Sequence, residues 1–218
     1  MAHFIAYQAV NMNDLPGLHG GEQTGNVLIA TGAEIEEQFT DPATGDTVLG
    51  IAKSVPGHPF KGEGGGAPGV VPVVGGLVSS FTVYVNGSLD YKITGLAVPM
   101  TALIDLQDDG NFTAARNLVL AGNNTIAGSH FNDVLVGGPG HNTFVFAKPF
   151  GHDVITNFST NDKIEISHKV FANFEAVQDA AHVDAHHHVV ITADASDTIT
   201  LNTVHHVSDL TSSEFLFV

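Results

Sequence analysis

The sequence predicts an all-β chain in two parts. Three observations carry that expectation: little charge with abundant glycine, one strong hairpin signal, and a run of nine-residue units near the middle. Charged residues make up 14% of the 218 and glycines number 24, a balance suited to strands joined by tight turns. Apolar residues reach 43%, enough to bury a core and too many for a disordered chain.

Residues 1–117 read as an N-terminal β domain. The hairpin is Phe81 to Val85, then Asn86-Gly87, then Ser88 to Ile93. Both arms alternate, and Asn-Gly suits a two-residue turn in which both residues need positive φ. The Gly/Pro-rich stretch Lys61 to Gly76 reads as a long loop. Thr101 to Leu106 reads as a short helix.

From residue 118 the texture changes. Val119 to Ala127, Gly128 to Val136 and Gly137 to Val145 are three consecutive nine-residue units, and a fourth ends at Gly151-His152-Asp153-Val154-Ile155-Thr156. Asn124, Asp133, Asn142 and Asp153 hold the sixth place; Ile126, Leu135, Phe144 and Ile155 hold the eighth. The pattern matches the nonapeptide Gly-Gly-x-Gly-x-Asp-x-U-x. Six residues turn and three form a short strand, and two units complete one coil. Loops about eighteen residues apart then stack on one side and share a calcium ion. The expected architecture is therefore the N-terminal β domain, a short parallel β-roll, and an antiparallel β cap with one helix, the second part spanning 118–218.

That geometry puts Asn124 and Asn142 on one side and Asp133 and Asp153 on the other. The candidate calcium set is Asp133, Asp153, Asn142 and Asn124, with Gly138 and Gly140 of the third unit. Affinity depends on ligand charge, so the aspartate side is expected to hold Ca2+ and the asparagine side to hold it weakly or not at all. Phe131 stands where the repeat wants glycine. The competing reading is a roll closed by Asn ladders and side-chain-to-backbone bonds, without metal.

Gly137 to Ser167 resembles the end of the repeat array in RTX proteins, the haemolysin-type calcium-binding family, and the C-terminal domain of serralysin-type proteases. The resemblance continues through a helix carrying Phe171, Phe174 and Val177, through Val189–Thr192 and Thr198–Leu201, and through the ending Ser208 to Val218. No His-Glu-x-x-His occurs, so the protease's zinc site is not part of it. The resemblance implies type I secretion read from the C-terminus, where Glu214-Phe215-Leu216-Phe217-Val218 has the acidic-then-apolar form of such signals. It also implies an extracellular location, ordering by calcium after export, and no cleaved N-terminal signal. The first residues lack a basic n-region and a long apolar core. Gly76 to Leu96 also resembles leaders that precede such repeats, which brings no activity with it.

Seven basic residues face 23 acidic ones, a net charge of -16. Nucleic acid and anionic membrane surfaces are disfavoured partners, whereas divalent cations are attracted. No apolar stretch is long enough to span a membrane. The absence of cysteine excludes disulfides and thiolate–zinc sites.

Thirteen histidines are many for this length. On a strand His186 and His188 share a face, which suits zinc, copper or nickel, and His182 lies one helical turn earlier if the helix runs that far. The alternative is that histidines fill exposed turn places, as His141 and His152 do at the fifth position. Glu34, Glu36, Glu37, Asp41 and Asp46 could supply a carboxylate pair for glycoside chemistry, but the preferred reading of them is a solvated acidic loop. The preferred function is a non-enzymatic surface, matrix or interaction module outside the cell, with extracellular polysaccharide or a cell surface as candidate partner. The alternatives are a polysaccharide-acting enzyme in 1–117 and a histidine-based metal-binding protein.

Overall fold

The computed structural model describes residues 1–15, 26–41, 44–62 and 73–218. The chain is mostly strand, with three α-helices among the described residues. It folds as two compact units. One comprises Met1, His3–Asn13 and Leu120–Val218; the other comprises Ala2 and Asp14–Val119. The sequence boundary at 117/118 falls close to the second junction, but the early residues of the first unit carry no repeat signal.

In the unit built around 14–119, strands β2 (Asn26–Ala30), β3 (Glu34–Thr40), β4 (Thr47–Ser54), β7 (Leu77–Val85) and β8 (Ser88–Pro99) lie in the order β8-β7-β4-β3-β2. Each neighbouring pair is antiparallel. Short strands β5 (Lys61–Gly62) and β6 (Val73–Gly75) pair separately; the loop expected over 61–76 lies in part outside the described residues. The Asn-Gly hairpin forms, with Val85 opposite Ser88 and Asn86 and Gly87 at φ 50 and 80. Asn86 also binds back, its Nδ2 donating to Asp46 at 2.7 Å. The expected short helix is α1 (Met100–Asp108), and a second, α2 (Phe112–Val119), follows it. Both pack on β8. Tyr91, Ile93, Val83, Val48 and Leu103 are buried in this unit's core. Each such side chain contributes about 1.5–3 kcal/mol by leaving water.

In the other unit, β1 (Ala2–Ala6) lies beside β9 (Asn124–Ala127), and successive short strands then alternate between two sheets. β9, β11 (Thr143–Phe146), β13 (Lys163–Ile166) and β17 (Phe215–Phe217) form one parallel ladder, with Thr125 opposite Thr143 and Thr143 opposite Lys163. β10 (Val134–Leu135), β12 (His152–Ile155) and β16 (Thr198–Leu201) form the other, with Val134 opposite Val154. The eighth-place residues Ile126, Leu135, Phe144 and Ile155 are fully buried.

β14 (Ala181–Val183), β15 (Val189–Thr192) and β16 run antiparallel. Helix α3 (Phe174–Ala180) packs on β15 and buries Val177; Asn173 caps it, accepting from the Ala176 N–H at 3.0 Å. Phe171 lies before this helix, and His182 follows it on β14. His182 is therefore not one helical turn from His186, because α3 ends at Ala180. No helix among the described residues is long and apolar enough to cross a membrane.

Candidate metal centre

The sixth-place side chains point inward and are almost fully buried: Asn124, Asp133, Asn142 and Asp153 are each at most 2% exposed. They form two columns, as the spacing predicts. Asn142 and Asp153 each accept the backbone N–H of the sixth-place residue two units earlier. Asn142 Oδ1 accepts from Asn124 N–H at 3.1 Å, and Asp153 Oδ1 accepts from Asp133 N–H at 2.8 Å.

Both columns extend beyond the four recognised units. Asp162 Oδ1 accepts from Asn142 N–H at 2.8 Å, and Asp197 Oδ1 accepts from the Phe150 and Gly151 N–H groups. The sequence reading missed these two aspartates. The local signal was present, since Asp162-Lys163-Ile164 and Asp197-Thr198-Ile199 repeat the sixth-to-eighth pattern; Asp162 even stands nine residues after Asp153, but its turn Asn157-Phe158-Ser159-Thr160 has no glycine, and Asp197 lies 35 residues further on. At the other end of the aspartate column, Val10 N–H donates to Asp133 Oδ1 at 2.7 Å. Met12 N–H and Val134 N–H exchange bonds with the Val134 and Val10 carbonyls. Residues 10–12 thus form one more rung.

The two columns differ in chemistry. In the asparagine column, Asn124 Nδ2 has four oxygens around it: Leu120 O at 2.8 Å, Asn142 Oδ1 at 2.9 Å, Gly137 O at 3.0 Å and Gly122 O at 3.1 Å. Asn142 Nδ2 likewise faces Asp162 Oδ1 at 3.0 Å, Gly138 O at 3.3 Å and Gly140 O at 3.4 Å. An amide NH2 thus fills the oxygen cage of each turn. A cation fits there only by displacing that nitrogen, so the residues on this side do not suit calcium.

The aspartate column has oxygen and no such nitrogen. Asp133 Oδ2 accepts from the Ser129 N–H and hydroxyl. Asp153 Oδ2 is buried and has no hydrogen-bond partner. Both Oδ2 atoms face Gly128: a Cβ there would stand 2.7 Å from Asp133 Oδ2 and 3.4 Å from Asp153 Oδ2. Burial pushes the Asp153 carboxyl up to about 8, and the charges of Asp133 and Asp197 add to the rise against the bond from Asp133 N–H. Burial also raises Asp133, while the N–H groups of Val10 and Ser129 act against it. A buried carboxylate oxygen without a partner is costly. A divalent cation suits this place, because it would supply the missing partner and relieve the repulsion.

Gly138 and Gly140 adopt φ 73 and 113, and a Cβ on Gly140 would collide with the Gly122 carbonyl one coil away. Phe131, at a degenerate glycine place, keeps negative φ and is exposed. Fifth-place residues stitch the turns from outside: Asn123 Oδ1 accepts from His141 N–H at 3.0 Å, and Asn132 Oδ1 from His152 N–H at 2.9 Å.

The histidines expected on one strand face lie instead in a turn, residues 184–188, with His188 between His186 and His205. Among the described residues no three acidic or histidine side chains already converge as a metal cluster. The acidic group of the other unit is dispersed in its partners. Glu34 pairs with Lys53 at 2.9 Å, Asp46 accepts from Asn86, and burial raises Glu37. No known protein family matches the chain, and no curated protein matches it as a relative.

Proposed function

We propose that the chain is a type I-secreted, extracellular, RTX-like calcium-binding protein that acts as a non-enzymatic surface, matrix or interaction module. In this reading the alternating parallel ladders are a short calcium-type β-roll and β14–β16 its antiparallel cap. Asp133 and Asp153 would hold the ion, which supplies positive charge to two carboxylates that burial makes costly. The observation that carries the reading is the buried, partnerless Asp153 Oδ2, which lies with Asp133 Oδ2 against Gly128. The coil spacing and the resemblance at Gly137 to Ser167 support it. The asparagine column is a metal-free closure of the same turns, so calcium acts on one side only. Binding to the folded form alone adds to stability.

The test is a calcium titration read by circular dichroism and thermal melting, with magnesium as control. Calcium should raise the melting temperature of the wild type. The rise should vanish in Asp133→Asn with Asp153→Asn and persist in Asn124→Ala. No shift at millimolar calcium would refute the calcium reading.

A further inference from the structure

Three exposed side chains each stand directly before a buried aspartate: Asn132 before Asp133, His152 before Asp153, and Ser196 before Asp197. With His130 and Phe131 they line one groove of about 500 Å3 on the surface of the repeat unit. That volume falls within the roughly 300–1,000 Å3 of small-molecule sites.

The polar groups of the groove are held in place. Val134 lies opposite Val154 in the parallel ladder, so Asn132 and His152 stand on neighbouring rungs, about 4.8 Å apart. Asn132 Oδ1 accepts from the His152 N–H at 2.9 Å, which fixes the amide and leaves its Nδ2 as a donor. His152 Nδ1 meets Thr198 Oγ1 at 3.0 Å, which fixes the ring and leaves its Nε2. Ser196 N–H donates to Asp194 Oδ1 at 2.7 Å, and the Ser196 hydroxyl remains for a ligand. Groups fixed beforehand lose little freedom on binding.

Phe131 supplies the apolar side. It stands where the repeat takes glycine, so the turn itself has no need of its ring. Its N–H donates to Ser129 Oγ at 3.0 Å, and its carbonyl packs on Gly151, where a Cβ would come within 2.4 Å. The backbone is thus pinned while the residue is 41% exposed, its ring centroid 3.9 Å from that of His130. A phenyl ring in this position adds nothing to the core. It offers a negative π face to weakly positive C–H groups.

None of the described residues lining the groove is Lys, Arg, Asp or Glu, so a charged ligand finds no counter-charge there. The net charge of -16 also repels anions. A pyranose ring has the matching chemistry, with hydroxyls around its rim and C–H groups on its face.

We propose that this groove binds a neutral saccharide, with Phe131 as the stacking platform and Asn132, His152 and Ser196 binding hydroxyls. The proposal rests on the interaction-module reading above and names its ligand class. It needs the folded turns but neither carboxylate of the calcium pair.

The experiment is calorimetric titration of the full chain, at neutral pH in millimolar calcium, with gluco-, manno-, galacto- and xylo-oligosaccharides. Oligogalacturonate is the anionic control. The variants are Phe131→Gly, which restores the residue of the repeat, Phe131→Tyr, which keeps a ring, and His152→Ala. Melting checks that each variant is folded. Saturable binding of a neutral oligosaccharide is expected, weakened at least about tenfold in Phe131→Gly and in His152→Ala and retained in Phe131→Tyr. No saturable binding of any of the four neutral sugars, undiminished binding in Phe131→Gly, or equal binding of oligogalacturonate would overturn the site. The calcium melting shift, read on the same preparation, separates the two readings. A shift without sugar binding overturns the groove alone, and sugar binding without a shift overturns the calcium reading alone.

Discussion

Asp153 and Asn142 occupy equivalent places in their columns, and one atom separates their behaviour. The Asn142 amide carries its own hydrogens into the oxygen cage, whereas Asp153 brings only another oxygen. Asp153→Asn should therefore stabilise the metal-free protein at pH 8 and abolish its calcium response, as melting curves with and without chelator would show. The proton has the same effect as the amide. The Asp153 carboxyl is raised to about 8 when folded, against about 3.9 in an unfolded chain. The folded state therefore binds the extra proton between those values, and its contribution is full below about pH 4 and lost as pH rises through about 8. In chelator, melting temperature should fall across that window, and Asp153→Asn should flatten the fall. A flat wild-type profile would count against the buried, uncharged form.

Turns rather than strands carry the repeat. Gly140→Ala places a side chain at φ 113 against the Gly122 carbonyl; it should cost roughly 3 kcal/mol or more in denaturant unfolding. Asn124→Ala strips a donor from four oxygens and should cost roughly 2–3 kcal/mol with or without calcium. The elements that rest on a local code were legible in the sequence. Asn86-Gly87 set a hairpin because two positive φ values have few other solutions, and Asn124, Asp133 and Asn142 announced their columns by stepping nine residues at a time, with Asp153 two residues beyond the next step. Asp162 keeps the Asp-x-Ile pattern and the nine-residue step from Asp153 but no turn glycine, and Asp197 keeps only the short pattern, 35 residues further along. Helix α2 was missed, and His188 stands beside His205, brought in from a separate loop.

At the level of the molecule, the first unit draws on both ends of the numbering. Residues 10–12 complete the aspartate column mostly through backbone N–H and C=O groups, with Met12 Sδ accepting from the Val136 N–H, and backbone groups leave no mark in a sequence. A separate fragment 120–218 should therefore melt lower than the same unit in the full chain. A synthetic peptide of residues 1–13 added in trans should restore part of the loss. Identical melting with and without the peptide would mean that the rung adds nothing.

That rung also orders events in time. Val10 must find Asp133, 123 positions along the chain, and a ribosome adds about 5–20 residues per second. Roughly 6–25 s pass between the two residues' synthesis at that pace, and the aspartate column cannot close before the later one emerges. Throughout that interval the opening segment waits without its partner, and its closure is a long-range, slow contact. A nascent chain halted before residue 133 should therefore leave the Val10 and Met12 amides open to hydrogen exchange, and one extended past the end of β16 should protect them.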